Sequence, residues 1–193
     1  MTATPLSTWT PELSLRARGL KWLLLDVDGV LTDGRLWFDA QGEIVKVFDV
    51  RDGLGIRLLT EAGIQVGILS ARKSAIVEKR ARDLGLAEIL QGHEHKLSAY
   101  RDFLARHALD PSAVAYLADD LLDLPVLGDC GLAAAPADAV PDVRSRVHFV
   151  TAAYGGRGAV RELAERLLVA RGVWDSIVER FAFPADSREA GDS

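Results

Sequence analysis

Cysteine, long apolar runs and clustered basic residues are scarce in this 193-residue chain, and each scarcity excludes a class of protein. Cys130 is the one cysteine, so an intramolecular disulfide is impossible and a reducing, cytoplasmic location is predicted. The apolar runs are far too short to cross a bilayer, and residues 1–19 carry no signal-peptide pattern. A net charge of −5, without any run of lysine or arginine, argues against a nucleic-acid partner. We therefore expect a cytoplasmic protein that binds neither membranes nor nucleic acids.

The residues that are present follow the pattern of an α/β protein. Apolar residues make up 49% of the chain and charged residues 26%, as in soluble globular proteins. Alternating strands and helices favour a mostly parallel, doubly wound sheet. Buried strands are predicted at residues 20–25, 64–69, 88–90, 113–118, 132–134 and 147–150, and helices at 52–62, 74–84, 96–107, 121–127 and 160–168.

The same pattern indicates one domain and no second one. We expect this domain to span residues 20–183, with an N-terminal extension at 1–19 and a flexible tail at 184–193. Residues 35–48 predict a β-hairpin with a glycine-containing turn. Asp52 is expected to cap the helix that follows the hairpin.

The segment DVDGVLTDG at residues 26–34 is the most informative part of the chain. It directly follows an apolar run, so a buried strand ends in two carboxylates. Side chains two apart on an extended segment project to the same side, and Asp26 and Asp28 can thus converge where open α/β sheets bind ligands. Such a pair can hold a hard cation, or one carboxylate can attack while the other moves a proton. A solvated acidic turn is the alternative for this motif taken alone.

Further polar residues follow other predicted strands and join the same edge of the sheet. Carboxylates gathered there would repel one another without a divalent cation, and oxygen ligands without clustered histidine or cysteine favour Mg²⁺ over zinc. A hydroxyl and a lysine beside them could contact a phosphoryl group, although a helix cap and a solvated side chain are the ordinary alternatives. These residues are Ser70, Lys96, Asp119, Asp120 and Asp123.

In this order the motifs closely resemble those of the haloacid dehalogenase-like (HAD) phosphatase superfamily. The matching motifs are DVDG at 26–29, Ser70, Lys96 and DDLLD at 119–123. By that resemblance, Asp26 is the nucleophile and forms an aspartyl-phosphate. Asp28 first protonates the leaving alkoxide and then activates water. Ser70 and Lys96 would stabilise charge on the phosphoryl oxygens.

The resemblance also implies a Mg²⁺ ion and its ligands. Asp26, the backbone carbonyl of Asp28 and Asp119 would bind the ion directly. Asp120 or Asp123 would complete or orient that set. The intervals between motifs leave no room for an inserted cap domain, so the pocket is expected to be open, with a neighbouring subunit covering it. The hairpin that carries Trp37 and Phe38 is a candidate for that contact, although core packing is an alternative.

Within the superfamily, the chain most resembles the 3-deoxy-D-manno-octulosonate (KDO) 8-phosphate phosphatases, which are capless tetramers. The likeness runs from about residue 20 to 174 and includes the segments FDVRDGLGI at 48–56, ADDLLDLPV at 118–126 and GGRGAVREL at 155–163. It implies hydrolysis of the KDO 8-phosphate ester, a role in lipopolysaccharide biosynthesis and a homotetramer. The segment at 155–158 would be mobile and help to close the site.

Substrate contacts are implied by the same resemblance. A guanidinium pairs well with both carboxylate and phosphate, which suits a phosphorylated sugar acid. Each arginine could alternatively be an ordinary surface residue. The residues concerned are Asp49, Val50, Arg51, Asp52, Gly53, Arg57, Arg72 and Arg80, with Lys96 at the phosphate.

Three departures from the family pattern keep other functions open. Ala71 and Ala118 replace glycines, and Asp49 stands where asparagine is common. The alanines remove no reacting group, whereas Asp49 adds negative charge near an anionic substrate. One alternative is a phosphatase for a nine-carbon sugar acid 9-phosphate (sialic acid or its deaminated analogue). Another is a retired enzyme that only binds phosphosugars. In response-regulator receivers an acidic pair follows the first strand and a lone phospho-acceptor aspartate lies on a middle strand. Here the first strand ends in DxDG and the double aspartate comes late in the chain, so a receiver is rejected.

Overall fold

The computed structural model describes residues 9–183, so the predicted tail at 184–193 lies outside the described residues, as does the start of the predicted extension. Six parallel strands form the central sheet in the order β5-β4-β1-β6-β7-β8. Their bounds are β1 Trp22–Leu25, β4 Gln65–Ser70, β5 Glu88–Gln91, β6 Val114–Leu117, β7 Leu132–Ala135 and β8 Phe149–Val150.

Helices cover both faces of this sheet, which confirms the predicted doubly wound α/β architecture. The helices are α1 Pro11–Arg18, α2 Val50–Glu61, α3 Ala75–Asp83, α4 Lys96–Arg106, α5 Leu124–Leu127, α6 Pro141–Arg144, α7 Ala159–Ala170 and α8 Trp174–Ala182. Short 3₁₀ turns occur at Pro111–Ala113 and Leu121–Asp123. Across residues 9–183, no helix has the length and apolar character needed to cross a membrane.

Alternate residues of the central strand supply two separate cores. Leu23 and Leu25 of β1 pack in a core with α1, α2, α3 and α7, whereas Trp22 and Leu24 pack in a second core with α4, α5 and α6. This alternation follows from the two-residue period of a strand. Both β1 neighbours pair with it in parallel register, with Leu25 opposite Ile68 on one side and Leu117 on the other.

The hairpin forms a separate two-stranded sheet and not a cap domain. Its strands are β2 Trp37–Asp39 and β3 Gly42–Val45, which pair in antiparallel register. Most of their side chains are exposed, including Trp37 at 56% and Phe38 at 54%. The predicted hairpin is therefore present, and it leaves an apolar surface beside the carboxyl edge of the large sheet.

The prediction that Asp52 caps the second helix is wrong. Asp49 occupies the N-cap position, and its side chain accepts a hydrogen bond from the Arg51 backbone N–H at 2.8 Å. Asp52 lies within the first turn of α2, is 1% exposed, and accepts a hydrogen bond from the Arg161 backbone N–H at 2.8 Å. Both aspartates satisfy free N–H groups at a helix start, but they do so for two different helices.

Helices α1, α6 and α8 are absent from the elements predicted from the sequence. The α1 helix begins at Pro11 after Thr10, whose hydroxyl accepts a hydrogen bond from the Leu13 N–H at 3.2 Å. Leu13 and Ala17 then bury one face of α1 against the core. Part of the segment that was interpreted as an extension is therefore packed against the domain.

Candidate active site

A cavity of about 260 Å³ lies at the carboxyl edge of β1, β4 and β6. This is the point where the chain crosses from one side of β1 to the other, the usual place for ligands in open α/β sheets. We call it the catalytic pocket; its lining residues are Asp26, Asp28, Gly34, Ser70, Ala71, Arg72, Lys96, Asp119, Asp120, Leu122 and Asp123. The structure thus brings the four predicted catalytic residues to one cavity.

Asp26 and Asp28 reach this pocket from different backbone settings. Asp26 directly follows β1, and its backbone N–H donates to the Leu117 carbonyl at 3.0 Å. Asp28 lies in a tight turn, because the N–H groups of residues 30–32 all donate to the Val27 carbonyl. The two side chains therefore share a pocket, although the second does not sit on an extended segment as predicted.

Gly29 is required by this turn for two reasons. Its φ of +87° is unfavourable for other residues, and a Cβ atom there would lie 2.0 Å from Oδ2 of Asp119. The turn can therefore approach the acidic residues after β6 only if residue 29 has no side chain.

A second glycine segment, at 155–158, supports the same turn from behind. The Gly156 N–H donates to the Val30 carbonyl at 2.8 Å, and a Cβ on Gly155 would lie 1.8 Å from the Gly29 carbonyl oxygen. None of the residues 155–158 lines the catalytic pocket. The predicted role of this segment in closing the site is therefore not supported by its contacts. The segment packs against the DVDG turn and stabilises it.

Lys96 connects the carboxylates in the floor of the pocket. Its side chain is 2% exposed, and its Nζ lies 3.0 Å from Oδ1 of Asp26 and 2.5 Å from Oδ1 of Asp123. Burial lowers the pKa of Lys96, but the two adjacent carboxylates together raise it above its ordinary value, so the ammonium stays charged. The Tyr116 hydroxyl also donates to Oδ1 of Asp123.

Oδ1 of Asp26 accepts a second hydrogen bond, from the Val27 N–H at 2.7 Å. Among residues 9–183, no hydrogen bond reaches its Oδ2, which is thus left free at the pocket. The carboxylate is held by one oxygen and presents the other. This arrangement suits a nucleophile that must attack along one direction.

Three carboxylates form a cluster that fits a divalent cation. One oxygen from each of Asp26, Asp119 and Asp123 lies within 4.8 Å of the others. Oδ1 of Asp119 and Oδ2 of Asp123 are buried without a hydrogen-bond partner, a costly state that a bound cation would relieve. An all-oxygen set of this kind suits Mg²⁺.

Burial and mutual repulsion raise the pKa values of two of these carboxylates. Burial, and then the charge of Asp123, raise the pKa of Asp26 to about 7. Burial, and then the charges of Asp26 and Asp123, raise the pKa of Asp119 to about 8. A bound divalent cation would reverse this effect, since it favours the ionised form that both coordination and nucleophilic attack need.

We expect the stability of the metal-free protein to fall as pH rises from about 4 to about 8. The folded pKa values of Asp26 and Asp119 lie above the ordinary 3.8, so in this window the folded state retains protons that the unfolded state has lost. Mg²⁺ must displace those protons at low pH but not at high pH. Its stabilising shift in Tm should therefore be at least about 3 °C larger at pH 8 than at pH 6.

Thermal unfolding with EDTA and with Mg²⁺ at both pH values measures this effect. An Asp119→Asn variant serves as the control, because it should flatten the pH dependence of the metal-free protein. Equal Mg²⁺ shifts at pH 6 and pH 8 would contradict the expected coupling.

Asp120, which was predicted to complete or orient the metal set, lies outside the three-carboxylate cluster. The side chain of Asp28 also lies outside it, and the predicted ligand of Asp28 is its backbone carbonyl. The exposed Asp120 carboxylate caps the following 3₁₀ turn by accepting from the Leu121 N–H at 2.7 Å. The side chain of Asp28 faces basic groups instead, since Nζ of Lys46 donates to its Oδ1 and Nε of Arg72 lies 3.4 Å from its Oδ2. The Asp28 carboxylate is therefore paired with Lys46 and Arg72 and does not join the three-carboxylate cluster.

Arg72 is the one predicted substrate arginine that lines the catalytic pocket. Its side chain is 42% exposed and lies 3.6 Å from Glu43, with its guanidinium carbon 5.5 Å from the ring centre of Phe38. The hairpin thus orients a guanidinium that still reaches solvent in the pocket.

The other predicted substrate residues gather on a second surface, around the start of α2. Arg51 pairs with Asp49 at 2.6 Å and holds the pKa of that carboxyl below its ordinary range. Arg80 stacks on Phe48, and a Cβ on Gly53 would lie 2.8 Å from its Nη2. None of these residues lines the pocket of its own chain, and the same holds for the residues Val50, Asp52 and Arg57.

Sequence reasoning missed three residues that organise the site. Tyr116 lies inside β6 and looks like a core aromatic, whereas Glu43 and Lys46 look like the solvated face of a hairpin. Only the position of Tyr116, three residues before Asp119, could have pointed to it. The two hairpin residues become visible once the hairpin is seen folded against the DVDG turn.

Comparisons with known proteins identify the family of this chain. No protein-family model matches the chain. The KDO 8-phosphate phosphatase KdsC of Salmonella typhimurium is 45% identical over 166 residues, which cover 86% of this chain and 88% of that protein.

Two solved structures extend this similarity to the fold. The KDO 8-phosphate phosphatase of Yersinia pestis superposes with a TM-score of 0.83 at 42% identity, covering 86% of this chain and 89% of the other. The enzyme of Moraxella catarrhalis, in complex with a magnesium ion, a phosphate ion and KDO, gives a TM-score of 0.85 at 35% identity, covering 88% and 98%. The chain therefore belongs to the KDO 8-phosphate phosphatase family of the HAD superfamily.

Proposed function

We propose that this chain is a Mg²⁺-dependent phosphatase that releases inorganic phosphate from KDO 8-phosphate. One observation carries the proposal: Asp26 presents a free carboxylate oxygen at the pocket, between a buried lysine and a cluster of carboxylates that fits a cation. The KdsC relative is named for this activity, and the Moraxella catarrhalis structure contains Mg²⁺, phosphate and KDO.

The reaction runs in two displacements at phosphorus. Oδ2 of Asp26 attacks the phosphoryl group, the ester P–O bond breaks, and Asp28 gives a proton to the departing sugar oxygen. Water then attacks the aspartyl-phosphate while Asp28 accepts its proton, and the bond between phosphorus and Asp26 breaks. When bound by the carboxylates, Mg²⁺ supplies positive charge that offsets the negative charge of phosphate and nucleophile.

Ser70 and Lys96 complete the phosphate site. Oγ of Ser70 accepts from the Arg72 N–H at 3.3 Å, so its own hydroxyl proton stays available for a phosphoryl oxygen. Nζ of Lys96 reaches the pocket beside Asp26. Fixed donors of this kind stabilise the charge that develops during phosphoryl transfer.

We infer that the substrate is bound by residues of two copies of the chain. Arg72 can pair with the sugar-acid carboxylate from within the pocket. The surface that comprises residues 49–53, Arg57 and Arg80 lies outside that pocket, and we infer that it contacts substrate held by a neighbouring subunit. The exposed apolar residues Leu36, Trp37, Phe38, Ile44, Val45 and Val47 offer a surface for this association. A homotetramer is the proposed assembly.

We expect a Trp37→Ser, Phe38→Ser double variant to sediment as smaller species than the native protein. These side chains are 56% and 54% exposed, so their loss should weaken subunit contacts more than the fold of one subunit. A Leu15→Ser variant on the outer face of α1 is the matched control, since Leu15 is 69% exposed and distant from the hairpin in sequence. Unchanged sedimentation and unchanged kcat/KM of the double variant would contradict the proposed assembly.

The site of action is proposed to be the cytoplasm. Cys130 is the only cysteine and is a buried free thiol, which matches the use of cysteine in reducing compartments. Fractionation of the producing cell with a detection tag would test this location.

Substrate specificity is tested by phosphate release from KDO 8-phosphate and from nine-carbon sugar acid 9-phosphates, each with Mg²⁺ and with EDTA. We expect kcat/KM to be at least about tenfold higher for the eight-carbon ester, because binding differences of about 1.4 kcal/mol separate substrates by this factor. EDTA should remove activity on all esters. A preference for a nine-carbon ester would preserve the mechanism and overturn the substrate assignment.

A further inference from the structure

A lysine is buried where the hairpin meets the DVDG turn. Lys46 directly follows β3, and its side chain is 1% exposed. Its Nζ donates to Oδ1 of Asp28 and lies 3.0 Å from Oε1 of Glu43. A buried ammonium is costly unless it is paired, and here it is paired with two carboxylates. The hairpin is thereby joined to Asp28 by a specific charged contact.

Glu43 fixes Lys46 from the other side. Its Oε2 accepts a hydrogen bond from Oγ of Ser74 at 2.5 Å, and Ser74 is the N-cap residue of α3. Nη2 of Arg72 lies 3.6 Å from Oε1 of Glu43. Lys46 is therefore anchored to a helix start and is not a mobile hairpin side chain.

Solvent exposure separates the roles of the two cations beside Asp28. Arg72 is 42% exposed, lines the catalytic pocket and lies 3.4 Å from Oδ2 of Asp28. Lys46 does not line the pocket and is closed off from it. Arg72 can thus contact substrate directly, whereas any influence of Lys46 must pass through Asp28.

We propose that Lys46 is a positioning residue for both proton transfers by Asp28, an inference that rests on the proposed phosphatase function. Asp28 gives a proton to the ester oxygen as the P–O bond breaks, and it later takes a proton from the attacking water. Lys46 holds Oδ1, whereas Oδ2 faces Arg72, which lines the pocket, and Oδ2 is the oxygen that exchanges these protons. Proton transfer depends steeply on such orientation.

A Lys46→Met variant tests the proposal, because methionine keeps most of the side-chain length and removes the ammonium. On KDO 8-phosphate we expect kcat to fall about 100-fold, with KM changed less than about threefold. With p-nitrophenyl phosphate the leaving phenolate needs no proton, so Asp26 should still be phosphorylated. Slow hydrolysis should then give a burst of about one nitrophenolate per site, larger than that of the native enzyme.

Three variants make the result specific. Lys46→Arg, which restores the charge, should recover part of the lost kcat. Lys79→Met removes an exposed lysine paired with Asp83 and should leave kinetics unchanged. Glu43→Gln keeps the lysine but weakens its anchor, and it should lower kcat less than Lys46→Met while producing the same burst. This last variant carries the test if Lys46→Met does not fold, as judged by circular dichroism and by the Mg²⁺ shift in Tm.

The inference is overturned if folded Lys46→Met retains kcat within about threefold of the native value. Equal losses on both substrates without a burst would also overturn it, since they indicate a purely structural role. If native protein released no phosphate from KDO 8-phosphate, the proposed substrate would fail, while the burst with p-nitrophenyl phosphate would still decide the role of Lys46.

Discussion

Replacing Asp26 with asparagine is expected to lower kcat for phosphate release by at least about a thousandfold. The amide is nearly isosteric with the carboxylate but is a far weaker nucleophile toward phosphorus. The fold should survive, because burial and Asp123 already disfavour a charge at this position. In EDTA at pH 8, we therefore expect Tm to be equal to or higher than that of the native protein, with activity lost.

Asp33→Asn is the matched control for this substitution. Asp33 belongs to the same DVDGVLTDG segment but is exposed, and in the described part of the chain its carboxylate contacts only Arg35, accepting from its N–H at 3.1 Å and lying 3.9 Å from its Nε. Its kcat should stay within about threefold of native. Retention of a tenth or more of the native activity by Asp26→Asn would contradict the role of Asp26 as nucleophile.

The second large effect is expected for Lys96→Met. Removal of the ammonium leaves Asp26 and Asp123 without their shared cation and deletes a donor to the phosphoryl group. We expect kcat to fall at least about 100-fold. The free energy of unfolding in EDTA at pH 8 should fall by about 2 kcal/mol or more, since breaking a buried pair leaves uncompensated charge.

Two further variants separate the possible causes of that loss. Lys79→Met tests the loss of an exposed lysine from a helix and should change neither quantity. Tyr116→Phe removes only the hydroxyl that donates to Asp123, and it should lower stability while leaving most of kcat. If Lys96→Met retained kcat within about threefold of native, its contact with the phosphoryl group would be excluded.

Much of the fold could be predicted because strand and helix periods are local properties of the chain. The apolar run before Asp26 and the capping residue Ser74 each mark an element that the structure contains. The carboxyl ends of β1, β4 and β6 meet as parallel topology requires, so Ser70 and Asp119 could be assigned to one edge.

The remaining features depend on contacts between distant segments. Whether Asp49 or Asp52 caps α2 is decided by α7, whose free Arg161 N–H takes Asp52 as its partner. The pairing of Lys46 with Asp28 depends on how the hairpin folds back, which no local pattern specifies. Similarly, Lys96 at the start of α4 reaches both Asp123 and the Tyr116 hydroxyl, which follow it in the chain by 27 and 20 residues.

The departures from the family pattern are accommodated without loss of a reacting group. Ala118 is fully buried in the core, and its N–H donates to the Ala134 carbonyl at 3.1 Å. Ala71 lines the pocket. The added charge of Asp49 is paired with Arg51 at 2.6 Å, which offsets its repulsion of an anionic substrate.

The central claim is that Asp26 carries the phosphoryl group of KDO 8-phosphate. The most direct test mixes native enzyme, Mg²⁺ and this substrate, quenches the reaction in acid during turnover, and reduces the protein with borohydride. An aspartyl-phosphate at residue 26 would be converted to homoserine, which peptide mass spectrometry locates. We predict homoserine at position 26 and none there in EDTA; reduction at a different residue, or an unmodified Asp26 in a sample that releases phosphate, would contradict the account.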